Sequence, residues 1–157
     1  MRCGGHCCVD AHPPVSRSCS ERLLAAGIST DMFEYTGYKR LKVKENGVCI
    51  LSEQGKCRIH TVKPETCRAG PFTFDVQGDV IVIFIKYERI CPLVKLLKEI
   101  PEAYQQQYNL AVKSITNLVS NLSCDEIDAI CCIDEPDTEK VSELPRKKSD
   151  MIYDNRY

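Results

Sequence analysis

Cys3, Cys7 and Cys8 fall within the opening run Met1-Arg2-Cys3-Gly4-Gly5-His6-Cys7-Cys8, on a chain made pliable by two glycines. Cys49, Cys57, Cys67 and Cys91 follow within the next hundred residues. Thiolate is the protein ligand that soft metals and iron–sulfur clusters prefer, so these seven cysteines point to metal chelation. Lys56, Arg58, Lys63 and Arg68 stand close in sequence to Cys57 and Cys67. Nearby positive charge and a helix N-terminus both favour the thiolate over the thiol. Seven thiolates around two divalent ions would carry excess negative charge, which basic groups or N–H donors must offset. Ligands drawn from separated segments make metal binding and folding one event.

The other candidates are less sharply drawn. His6, His12 and His60 offer ring nitrogens and Asp10 a carboxylate; His6 suits either a ligand or an outer hydrogen-bond donor to sulfur. Cys19 reads equally as ligand or as small buried hydrophobe, and Cys91, just after an apolar run, also admits the second reading. Cys124, Cys131 and Cys132 lie on or after an amphipathic segment, where filling the core is the expected role.

The bulk composition narrows the class. A chain of 157 residues with net charge −1 and 27% charged residues has one domain's worth of core and no basic footprint for nucleic acid. No apolar run is long enough to span a bilayer, so no membrane association is expected. The cysteine motif starts at residue 3, which leaves no room for a cleaved signal peptide and implies the reducing cytoplasm. There, 11 clustered cysteines serve metal or redox chemistry rather than disulfides.

The elements that must position the cysteines follow from pattern. Residues 1–19, rich in Gly, Pro and Cys, read as an irregular ligand loop. A short helix over Glu21–Ala26, capped by Ser18 or Ser20, stops at Gly27, and a turn follows around Asp31–Tyr35. Tyr38–Lys44 alternates with the period of a half-buried strand. Asn46-Gly47 turns it into Val48–Leu51, and Cys57–His60 completes a three-stranded meander that sets Cys49 beside Cys57. Pro64 and Glu65 suit a helix start that carries Cys67 in its first turn. Phe72–Asp75 and Val80–Lys86 form a second hairpin. Beyond Cys91-Pro92 the period becomes helical, with Tyr108, Ala111, Ile115, Leu118 and Leu122 on one stripe. A shorter helix restarts at Ser123 or Asp125. The expected class is α+β: small antiparallel hairpins and an irregular cysteine-rich region, then a C-terminal helical segment. Residues 1–133 form the domain, and 134–157 a charged, flexible tail. The first sixty residues hold few large apolar side chains, so ligand bonds are expected to stand in for a core there.

Taken in order, three segments carry a resemblance. They are Cys3-Gly4-Gly5-His6-Cys7-Cys8, Cys49-Ile50-Leu51 through Gly55-Lys56-Cys57-Arg58-Ile59-His60, and Lys63-Pro64-Glu65-Thr66-Cys67-Arg68 with Gly70-Pro71-Phe72. Over about residues 3–92 the chain resembles the zinc- or iron-chelating cysteine-cluster family, also called YkgJ-like. The resemblance implies a cytoplasmic protein that binds zinc or an iron–sulfur cluster through these cysteines. The family motif usually has a further cysteine three residues before the position of Cys3. Either the native chain starts further upstream, or this site has one ligand fewer and water, another cysteine or a partner supplies it; if the chain is complete, an open coordination position is expected.

Three functions follow as expectations. The first is an iron–sulfur protein acting in electron transfer or as a maturation accessory with a protein partner. The second is a zinc-stabilised interaction module, since tetrahedral thiolate suits both metals. The third is an enzyme related to the flagellin lysine N-methylases, which share the cysteine motifs; no glycine-rich cofactor loop, catalytic triad or HExxH run supports it.

Overall fold

The computed structural model describes residues 6–135 and 137–146. Its architecture is α+β, built as two apolar clusters joined by one short helix.

The first cluster organises the N-terminal part. Helix α1, Arg17–Ala25, is capped by Ser16, whose Oγ accepts the Cys19 N–H at 3.1 Å. The cap is thus Ser16 rather than Ser18 or Ser20, and the helix starts four residues before the expected Glu21. It ends in a Schellman motif. Gly27, at φ +84°, lets its own N–H reach Leu24 O at 2.9 Å and the Ile28 N–H reach Leu23 O at 3.0 Å. Leu23 and Ile28 then bury together with Val15, Phe33, Leu41 and Leu51. The expectation of a region without a core is therefore corrected: a compact apolar cluster exists, and Cys19 and Cys49 belong to it.

The meander also differs from expectation. Strand β1 (Phe33–Tyr35), expected as a turn, pairs antiparallel with β2 (Lys39–Leu41). The Asn46-Gly47 turn exists, but only a Val43–Cys49 bridge flanks it. Gly47 donates to Lys44 O at 2.9 Å and takes φ +77°, the geometry of a type I turn closed by a left-handed glycine. The regular hairpin lies next along the chain, β3 (Ser52–Glu53) against β4 (Lys56–Cys57). Gln54 and Gly55 make its turn, both at positive φ (48° and 71°).

The second cluster carries the larger core. After α2 (Glu65–Ala69), strands β5 (Phe72–Gln77) and β6 (Val80–Lys86) form the expected hairpin. Helices α3 (Leu93–Glu99), α4 (Pro101–Ser120) and α5 (Cys124–Cys131) follow. Ile81, Ile83 and Ile85 alternate along β6 and bury with Phe72, Val94, and Ala111, Ile115 and Val119 of α4. A capping box at Ser123 and Glu126 starts α5 and turns Ile127 into the same core.

The charged tail is the main correction. Thr138–Pro145 is strand β7, antiparallel to β6, so β6 is the central strand of a β5-β6-β7 sheet. Val141 and Leu144 pack on the core, and the Tyr108 hydroxyl shares a 2.7 Å hydrogen bond with Ser142. Lys140, Glu143 and the terminal Pro145 mark an edge strand, where charge and proline discourage further pairing.

Candidate metal centre

Four short segments carry the candidate cysteines, and each is anchored by hydrogen bonds to the rest of the fold. The segment His6–Cys8 is a single 3₁₀ turn. It docks on the Asn46-Gly47 hairpin: the Cys49 N–H donates to Cys8 O at 2.8 Å, and the Asp10 N–H to Gly47 O at 2.9 Å. A Val9–Val48 bridge lies between those two bonds. The loop thus extends the hairpin as a partial strand, which brings Cys7 and Cys8 to Cys49. Glycine is favoured at position 47 by its positive φ; a Cβ there would meet only the carboxylate end of the exposed Asp10, which can move aside.

Cys57 comes from β4, where it is the register partner of Ser52. The Arg58 N–H donates to Leu51 O at 3.0 Å and holds that strand against the residues following Cys49. Cys67 sits in the middle of α2, a five-residue helix that begins after Pro64 as its composition predicts. Both ends of α2 are tied to α4. Gln107 Nε2 donates to Ala69 O at 2.9 Å and to Arg68 O at 3.0 Å, satisfying carbonyls that a helix terminus leaves unpaired. At the other end the buried Glu65 accepts from Asn117 Nδ2 at 3.4 Å.

The electrostatics report the convergence of these sulfurs. Burial pushes the Cys67 thiol well above its ordinary range, and the charges of Cys49, Cys7 and Cys57 raise it further, with Lys63 opposing. Burial likewise raises Cys49. A backbone hydrogen bond from Leu51 and the charge of Lys44 oppose that shift, while Cys8 and Cys57 add to it. Cys7, Cys8, Cys49, Cys57 and Cys67 are therefore one electrostatic group. Among the described residues no three Cys, His, Asp or Glu side chains stand at the spacing of a closed metal site. All-sulfur donors with an N–H aimed at one of them fit a thiophilic ion or cluster by chemistry.

These shifts have a consequence for metal affinity. Thiols held above their ordinary pKa are protonated near neutrality, and a bound metal must displace those protons. Zinc affinity is expected to rise with pH between about 6 and 8, by roughly tenfold per pH unit for each coordinated thiol that gives up its proton. Calorimetric titration in buffers of different ionisation enthalpy counts the protons. Release of none would contradict coordination by Cys49 and Cys67.

The remaining candidates are placed elsewhere. Cys3 lies outside the described residues. Cys91 precedes α3 and packs against the sheet–helix core with Phe72 and Ile85. Cys19 is fully buried, and its thiol is pushed up to about 12 by burial and then by the charge of Glu65. It is a core residue. Cys131 packs on the second core, where burial raises it to about 11, but Cys124 and Cys132 are exposed, contrary to the core-filling expectation. On α5 the buried position is Ile127; Cys131, one turn further on, packs beside the same core, whereas Cys124, the first residue of the helix, is exposed. His6 and His60 are exposed, while His12 has a buried Nδ1 without a hydrogen-bond partner.

Beside Cys57 opens a cleft of about 490 Å³ lined by Lys44, Glu53, Gln54, Lys56 and Arg58. Lys44 Nζ donates to Ser52 O at 2.6 Å, and Arg58 pairs with Glu53 at 3.4 Å. That exposed ion pair contributes little to stability. The cleft leaves one side of the cysteine group in a basic surface, which sequence spacing does not reveal beyond Lys56 and Arg58.

Comparison with known proteins returns one finding. A family model described as "putative zinc- or iron-chelating domain", CxxCxxCC, matches residues 1–92. No curated protein and no solved structure matches the chain.

Proposed function

The chain belongs to the CxxCxxCC family, a family of metal-chelating domains, and on that premise we propose that its cysteine group holds an iron–sulfur cluster used in electron transfer or as a maturation accessory. The observation that carries this reading is the donor set: five cysteines electrostatically coupled from four segments. The group lies at the rim of the fold, since Cys7 is exposed and Cys57 only half-buried. A rim position suits exchange of electrons with another protein. The Leu51 N–H on Cys49 is the kind of hydrogen bond that tunes a cluster's potential. A bound cluster would supply reversible one-electron chemistry, and the cysteines would hold it at the surface. Lys44, Lys56 and Arg58 beside Cys57 suit an acidic face on a protein partner. We place this activity in the cytoplasm, where free thiols persist. Among the described residues no helix is long and apolar enough to cross a membrane.

A second reading, a zinc-stabilised interaction module, is favoured by one observation. The ligand-bearing segments have very little regular structure of their own: a 3₁₀ turn, two-residue strands and a five-residue helix. Such segments gain most from a structural ion. Anaerobic purification with metal analysis and an absorbance spectrum separates the two. Iron with inorganic sulfide and broad thiolate-to-iron absorbance is expected. Stoichiometric zinc and a featureless visible spectrum would replace the first reading with the second.

A further inference from the structure

Glu65 carries a carboxyl group, yet is only 2% exposed. Its Oε1 accepts from three donors on two other helices or their caps: Arg22 Nη2 at 3.3 Å, Ser16 Oγ at 3.4 Å and Asn117 Nδ2 at 3.4 Å. Ser16 is the N-cap of α1 and Arg22 lies within that helix, whereas Asn117 lies on α4. Its other oxygen, Oε2, is buried, as is the neighbouring Thr66 Oγ1, and the buried Cys19 thiol of α1 also hydrogen-bonds the Glu65 carboxylate. Burying a carboxylate this way is costly, and a helix dipole does not require it, because an exposed acidic residue in the first turn would serve equally well. A buried polar group kept at such cost asks for a reason beyond stability.

The reason lies two residues along. Glu65 opens α2, and Cys67 follows within its five residues. A helix of little more than one turn has almost no intrinsic rigidity. Its position must be imposed from outside, and its two ends are both held: Gln107 on the terminal carbonyls, Glu65 between α1 and α4. We propose that Glu65 is a positioning residue for the metal centre, fixing α2 between α1 and α4 so that the Cys67 sulfur is presented to the other cysteines. This rests on Cys67 being a ligand. It also makes Glu65 the junction through which the metal centre is coupled to the larger, sheet-based core.

The test uses cobalt(II) as a spectroscopic probe on the full chain, with zinc competition for affinity. Glu65→Ala is expected to weaken binding about 10–100-fold, the range found when residues supporting a ligand are removed, and to alter the visible spectrum of the bound cobalt. Glu65→Gln keeps the one carbonyl oxygen that all three donors share, so it should restore the wild-type spectrum and most of the affinity. Ile127→Val, in the sheet-based core and outside the cysteine group, serves as a stability control and should lower the melting temperature without moving spectrum or affinity. Wild-type affinity and spectrum in Glu65→Ala would overturn the inference, as would an equal loss in Ile127→Val. If Glu65→Ala does not fold, failure of Glu65→Gln to match the wild-type spectrum overturns it as well. Absence of cobalt binding by the wild-type chain would be a different result, counting against the metal centre itself.

Discussion

Cys57→Ser and Cys67→Ser are each expected to lose more than about 100-fold in zinc affinity, beyond the range for supporting residues, while Cys124→Ser keeps the wild-type value. The contrast follows from placement. Cys57 and Cys67 belong to the electrostatically coupled group, and each raises or is raised by the others. Cys124 stands on α5 with Arg146 Nη2 3.8 Å from its sulfur, on the sheet side of the molecule. Serine is nearly isosteric but presents a hard hydroxyl in place of a soft thiolate, so the loss reads ligand chemistry rather than packing. Metal analysis of the purified variants, with competition against a chelator of known affinity, provides the measurement. A Cys57→Ser protein carrying a full complement of metal would remove β4 from the site. Cys19→Ser is a useful companion: it should cost stability through its buried position and leave the metal in place.

Chelation of the metal is expected to abolish amide protection in residues 6–15 and 43–67 while β5, β6, β7 and α4 keep theirs. Magnitudes decide this. Apparent metal-binding free energies in small zinc domains run to about 10–16 kcal/mol, comparable with the whole stability of an ordinary domain, about 5–15 kcal/mol. The segments that carry the sulfurs depend on that contribution, because their regular structure is slight: a 3₁₀ turn, the isolated Val9–Val48 and Val43–Cys49 bridges and a two-residue hairpin, joined by single turn and loop hydrogen bonds. The sheet and its helices bury Ile81, Ile83, Ile115 and Ile127 without reference to any cysteine of the group. Leu23, Ile28, Phe33 and Leu41 occupy an intermediate place, since their cluster also takes in Cys49 and is lined by Cys8 and Cys57. Loss of metal should loosen α1 and β1–β2 in part. Hydrogen exchange followed by mass spectrometry, before and after chelation, resolves these three regions. Equal protection of all three in both states would mean that the metal adds nothing to the fold.

Much of the site was legible in residue types. The family resemblance carried by the cysteine motifs agrees with the match over residues 1–92, and α2 starts after Pro64 as its composition predicts. Glu65 was legible only as a charge suited to a helix N-terminus. Its role as an acceptor for Ser16, Arg22 and Asn117 joins residues 43 to 52 positions away, and no local pattern encodes such a meeting. Cys19 was undecided in sequence because thiols serve both as ligand and as small hydrophobe; burial at the centre of α1's apolar face decides it.

What the sequence by itself determined is the chemistry and the strongly periodic elements: a thiol set suited to soft metals, the β5–β6 hairpin, and the stripe that builds α4. These are local properties, written in residue type or in a repeat of two or 3.6 residues. Only the tertiary structure decided β1, β3 and β4, which at two or three residues are too short to show a period. It also decided β7, whose charged composition hid the inward Val141 and Leu144 until β6 supplied a register for them. It also decided which cysteines lie close enough to influence one another electrostatically. Cys7, Cys8, Cys49, Cys57 and Cys67 gather because a loop adds to a hairpin and a short helix is clamped at both ends, and Cys91 falls into a separate core. Long-range convergence of this kind depends on where the chain closes its loops, a property of the whole packing that no spacing along the sequence contains.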